Sequence, residues 1–147
     1  MKRLSILAVF AAVLVFGTMN EGNAIGIGFM VGEPTGLSIR VGNFPIIGIA
    51  WSLRNYLHFH LDGWLYNGKL AGPLNWYIGI GGKIRLFNID NKTGGGTILG
   101  LGFRVPVGID WFVIKPVELF LEAAPGIAIL PATGFDWDAA FGVRFHF

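Results

Sequence analysis

Residues 136–147, Asp-Trp-Asp-Ala-Ala-Phe-Gly-Val-Arg-Phe-His-Phe, limit the possible folds of this chain more than any other stretch. Successive side chains of a β-strand point to opposite faces. Taken alternately, Trp137, Ala139, Phe141, Val143, Phe145 and Phe147 fall on one face, and Asp138, Ala140, Gly142, Arg144 and His146 on the other. One face is apolar to the last residue, and the other is ionic or small. Such a strand separates an apolar medium from a polar one.

The pattern recurs in seven earlier segments: 25–32, 37–42, 46–53, 56–66, 76–87, 98–110 and 117–123. Their polar faces carry Arg40, His58, His60, Asp62, Lys83, Arg85, Arg104, Asp110, Glu118 and Glu122, with Arg54 in the short turn after the third segment. Turn chemistry separates them at 33–36, 43–45, 54–55, 67–75, 88–97 and 131–134, where Pro presets φ and Gly permits unusual backbone. Pro106 and Pro125 lie inside presumed strands. Each removes a ladder donor, so a bulge or interruption is expected at both.

Hydropathy decides which medium faces the apolar side. Mean hydropathy is +0.60 and 53% of residues are hydrophobic, as in membrane proteins. Yet beyond the opening segment the longest uncharged runs, such as 41–53 and 123–135, reach thirteen residues. A spanning helix needs ~18 or more. The 23 glycines, many inside apolar runs, undermine helices further. With helices excluded, a closed β-barrel is the structure that satisfies its backbone in lipid. Soluble ligand-binding barrels also alternate, with the apolar face inward. Here the polar face is too sparse for a water-facing surface, since Ser38 and Ser52 are the only serines after residue 24. Trp51, Trp76, Trp111 and Trp137 fall near segment ends, where aromatic girdles sit. The expected fold is all-β: an eight-stranded antiparallel up-and-down transmembrane β-barrel, apolar side out.

Lys2 and Arg3, an apolar run over 4–16 and Asn23-Ala24 read as a secretory signal peptide spanning 1–24, leaving 25–147 as the barrel. The apolar run is shorter than the ~20 residues of a spanning helix, which argues against a retained anchor. An even strand number places both barrel ends on one side, read as periplasmic. The opposite turns at 33–36, 54–55, 88–97 and 131–135 are short for an outer surface, which argues against a long-loop adhesin. Without Lys2, Arg3 and Glu21 the chain holds nine basic and eight acidic residues, giving no case for nucleic acid. The absence of cysteine excludes disulfides and thiolate chemistry.

An eight-stranded barrel is just wide enough inside for side chains. Inward charges must therefore pair across the lumen. The expected network is Arg40, His58, His60, Asp62, Lys83, Arg85, Arg104, Glu118, Glu122, Asp138, Arg144 and His146, with Gly79, Gly81, Gly100 and Gly102 making room for long stems. This interior predicts a structural barrel, not an open pore, and calls for no cofactor. His58-Phe-His60-Leu-Asp62 has the residue types of a metal site, but any polar lumen stripe gives the same spacing. We read it as the stripe and assign no metal. Ser38 and His58 could be cast as nucleophile and base of a lipid hydrolase, without a local motif in support. Glu118 and Glu122 share a face and are read as salt-bridge partners. The Gly94–Gly96 triplet lacks the Lys-Ser/Thr of a phosphate loop.

Several motifs carry a resemblance: Gly32-Glu-Pro-Thr-Gly-Leu-Ser38, Leu57-His-Phe-His-Leu-Asp62, Tyr77-Ile-Gly-Ile-Gly-Gly-Lys83, Arg104-Val-Pro-Val-Gly108, Pro116-Val-Glu-Leu-Phe-Leu-Glu-Ala-Ala-Pro125 and Gly142-Val-Arg-Phe-His-Phe147. Together they resemble a family of small bacterial outer-membrane β-barrel proteins without an assigned activity, broadly similar to the OmpA- and OmpX-type eight-stranded barrels. The ending also resembles the signal read by outer-membrane assembly machinery, although Phe141 stands where that pattern prefers a polar residue. The resemblance implies a bacterial outer-membrane location, with lipid and, through 136–147, the assembly machinery as partners. A monomer with a structural or envelope role is expected, a weak small-solute conductance being compatible with it. The alternatives are a lipid-modifying enzyme of the outer leaflet and a periplasmic lipocalin-like carrier.

Overall fold

The computed structural model describes residues 25–52, 56–89 and 95–147. The expected signal peptide, Arg54 and Gly94 lie outside the described residues. Among the described residues nine strands are present: β1 (Ile25–Glu33), β2 (Thr35–Val41), β3 (Ile46–Trp51), β4 (Tyr56–Ala71), β5 (Leu74–Ile89), β6 (Gly96–Arg104), β7 (Val107–Ile114), β8 (Val117–Leu130) and β9 (Gly134–His146). All pairings are antiparallel. They run β4-β3-β2-β1-β9-β8-β6-β5, and β4 with β5 closes the ring. The first and last strands lie side by side, Gly26 opposite His146.

Nine strands replace the eight expected, and Pro106 is the reason. β6 and β7 both pair with β5, at Gly81–Ile89 and Leu74–Ile78 respectively, and both pair with β8. They follow one another along a single lane of the ring, with the same register before and after the break. Gly79 N donates to Pro106 O at 2.8 Å, but proline returns no bond to Gly79 O. Across the other seam Val105 N donates to Pro125 O at 2.8 Å, and Pro125 has no donor to return. The two prolines thus thin the ladder at one level. Pro106 interrupts its strand as expected, whereas Pro125 sits within β8, opposite Trp137.

The second departure is a tall hairpin. Residues 67–75, expected as a linker, mostly belong to β4 and β5, which turn at Gly72 with φ +55°. The register shifts between Trp64 and Tyr66, so Leu65 and Tyr66 both face outward and Asn67 and Lys69 take the inward side. A bulge of this kind re-aims every residue after it. This hairpin and the turns at 42–45 and 115–116 mark the proximal end of the barrel, where β1 begins and β9 finishes. The opposite end is called distal.

The alternation sorts the side chains as the sequence predicts. Phe103 is 60% exposed and Phe141 52% on the outer wall, while Arg104 and Glu118 inside are 2% and 0% exposed. Trp51 and Trp137 lie outward near distal strand ends, and Trp76 and Trp111 near proximal ones. Two small apolar clusters lie inside: Met30, Ala50, Phe120 and Ala140, and Ile46, Trp64 and Tyr77.

Candidate functional site: the ionic interior

The period of two along β8 and β9 builds the interior in layers. Glu118, Phe120 and Glu122 succeed one another inward on β8, and Asp138, Ala140, Gly142 and Arg144 on β9. Phe120 and Ala140 therefore separate a proximal ion cluster from a distal one. Of the twelve residues expected in the lumen network, His58, His60, Asp62, Lys83, Arg104, Glu118, Glu122, Asp138 and Arg144 are buried, and Arg40, Arg85 and His146 are part-buried.

Glu118 organises the proximal cluster. Fully buried, its carboxylate accepts from Arg40 Nη1 at 2.7 Å, Arg144 Nη1 at 3.0 Å and lies 2.6 Å from His146 Nε2. Arg144 also donates from Nε to Ser38 Oγ at 2.9 Å and stacks on Phe120 at 3.8 Å. Arg40 stacks on the Trp64 indole at 3.9 Å, and the opposite indole face packs on Tyr77, with centroids 3.8 Å apart. Ion pairs this deep hold only when their hydrogen bonds are nearly complete.

Arg104 and Asp138 organise the distal cluster. Arg104 pairs with Glu122, with Asp62 at 3.4 Å and with Asp138 at 3.4 Å. Asp138 also receives Lys83 at 2.9 Å and Arg85 at 2.8 Å. Tyr77 donates its hydroxyl to Glu122 at 2.8 Å. A Cβ at Gly100 would first meet Phe87 and then Arg85, and one at Gly102 the backbone of Ile127 and Ala128 and then the Lys83 stem, whereas Gly81 faces Asp62 and Gly79 the backbone of Gly63.

The candidate chemistries can now be placed. His58 Nε2 lies 3.1 Å from His60 Nδ1, and His60 Nε2 3.7 Å from Asp62. Arg104 Nη1 is 3.1 Å from His60 Nδ1, so a guanidinium engages this stripe. Ser38 and His58 turn to different partners, Arg144 and His60. Glu118 and Glu122 belong to separate clusters, Glu118 paired with Arg40 and Arg144 and Glu122 with Arg104.

Some contributors escape the sequence reading. Asp136 pairs with Lys83 at 2.7 Å and Arg85 at 2.6 Å, and its position two residues before Asp138 on one face was the available signal. Glu33, expected in a turn, accepts from Ser52 and from Tyr56 at 2.9 Å. Asp110, on the predicted polar face, lies 3.9 Å from Arg40 and accepts from Asn75 at 3.3 Å.

Open space is unevenly distributed. A cavity of about 260 Å³ occupies the proximal end, inside the tall hairpin. A second, of about 120 Å³, lies distally where β8 parts from β6, beside Lys83, Arg85 and Asp136. A third, of about 10 Å³, lies beside His60, Arg104 and Glu122. That is at or below what one water requires.

These features define a class: an antiparallel barrel closed on itself, with an apolar exterior and an ion-paired interior. The sequence profile of a family described as "Protein of unknown function (DUF3996)" matches residues 18–147, and the chain belongs to that family. Searches of curated proteins and of solved structures find no match.

Proposed function

We propose that the chain is an integral outer-membrane barrel with a structural or envelope role, made from a precursor whose first 24 residues are removed. Lipid surrounds the wall, and the strand ending at Phe147 addresses the chain to the assembly machinery. The observation that carries this reading is the sidedness of the wall. Phe29, Phe103, Leu121, Phe141 and Phe145 are each at least half exposed while Arg104, Arg144, Asp62 and Glu118 are buried. In water that arrangement would expose far more apolar surface than monomeric soluble proteins carry in one patch. In a bilayer it satisfies both sides of the sheet. A carrier of apolar ligands needs the reverse arrangement, with the apolar face around its cargo. The twelve-residue network supports a filled, load-bearing interior over a solute path.

Two measurements test the proposal. In cell fractions the protein should stay with the membrane through a detergent-free wash, and release into the wash would overturn the reading. Phe141→Arg should cost ~2–4 kcal/mol in lipid vesicles, as for cations near the midplane on a barrel's lipid face. A water-facing Phe141 would tolerate the same change to within ~0.5 kcal/mol.

A further inference from the structure

The proximal cavity is lined by Arg40, Trp64, Asn67, Lys69, Asn75, Asp110 and neighbours, and its charges are not all spent on each other. Arg40 is occupied: Nη1 meets Glu118 at 2.7 Å and Nε donates to Gly42 O at 2.9 Å. Removing that pair leaves one cation and one anion. Lys69, exposed near the hairpin tip, has no ion-pair partner among the described residues. Asp110 is 3% exposed, yet its nearest cation is Arg40 at 3.9 Å, and its close contact is the neutral Asn75 amide at 3.3 Å.

The strand register explains why the two do not satisfy each other. Lys69 pairs with Asn75, and Asn75 with Asp110, so the three form one row across β4, β5 and β7. Two strand spacings, roughly 10 Å, separate the backbones of Lys69 and Asp110, with Asn75 between. Phe112 and the edge of the Trp64 indole line the space, and the Trp64 Nε1 donor is buried without a partner. At about 260 Å³ the space is below the ~300–1,000 Å³ of pockets that hold drug-sized ligands.

We propose that this cavity binds a small zwitterion, the head group of an α-amino acid. The carboxylate meets Lys69 and the ammonium meets Asp110, while the Asn67 and Asn75 amide oxygens, whose Nδ2 groups donate to Asn43 and Asp110, offer further contacts and Phe112 covers the aliphatic part. A charge-assisted contact at each end makes both ligand charges necessary. The site does not depend on a membrane location, so the two proposals fail separately.

The test uses the full protein in micelles of an uncharged sugar detergent, which avoids competing zwitterions. Glycine, alanine, acetate and methylammonium are titrated at fixed ionic strength, with indole fluorescence and calorimetry as readouts. The expected result is saturable binding of both amino acids, with acetate and methylammonium each weaker by about ten-fold or more. Lys69→Gln and Asp110→Asn should each weaken alanine binding by a similar factor. Lys69 is exposed, so its replacement leaves folding untouched, which circular dichroism will confirm. No saturable binding of either amino acid would overturn the proposal. So would binding of acetate or methylammonium as tight as that of alanine, or unchanged binding by Lys69→Gln.

Discussion

Glu118 and Asp138 each draw three cationic or imidazole groups, and Glu118 does so in full burial. Glu118→Gln should destabilise the barrel by ~3–5 kcal/mol, the cost of leaving buried charges without a counter-ion. Asp136 is the informative contrast. It is part-exposed, and its partners Lys83 and Arg85 keep Asp138. Asp136→Asn should cost no more than ~1 kcal/mol. Chemical unfolding midpoints of the two variants check both values, and equal losses would show the interior to be insensitive to burial. At this scale the inward residues were legible because a period of two leaves no choice of face once one residue is placed. Pairing was not legible. Which arginine meets which carboxylate depends on stagger between strands, and Arg104 finds Asp62, Glu122 and Asp138 on three different strands.

Proline 106 shows how a strand can be divided without disturbing its neighbours. Pro106→Val supplies a donor for Gly79 O, a net gain of ~0.5–1.5 kcal/mol. Loss of proline's restraint on the unfolded chain offsets ~0.4–1 kcal/mol of it. The expected outcome is therefore little change in stability, within ~1 kcal/mol, but a continuous β6–β7 strand. Amide exchange at residue 106 reads the difference, and a fast-exchanging amide there would contradict the assigned register. The break at Pro106 was readable in advance from the missing ladder donor, but the same expectation at Pro125 was not met, since β8 runs on through it opposite Trp137. The tall β4–β5 hairpin was not readable. Gly68, Gly72 and Pro73 carry turn chemistry, and the bulge at Leu65 ends the simple alternation just where the chain continues as a strand. A pattern of period two cannot see past a residue that resets its own phase.

As a whole the molecule is a soluble fold turned inside out: its apolar residues form the wall and its charges the core. That inversion was legible from the alternation joined to the hydropathy. The proximal cavity was not, because it depends on strand length rather than on residue type. With Arg104 buried and paired across the lumen to Asp62, Glu122 and Asp138, no steady current should cross a planar bilayer containing the protein. Open steps of constant size in single-channel recordings would contradict the closed interior.

The ion-paired middle has one more effect. Among the described residues it lies between two chambers, one walled by Trp64 and Lys69, the other by Lys83 and Asp136. Under the proposed topology, an impermeant amine reagent added outside sealed vesicles would label Lys69 in only one insertion direction. The molecule thereby carries its own compass.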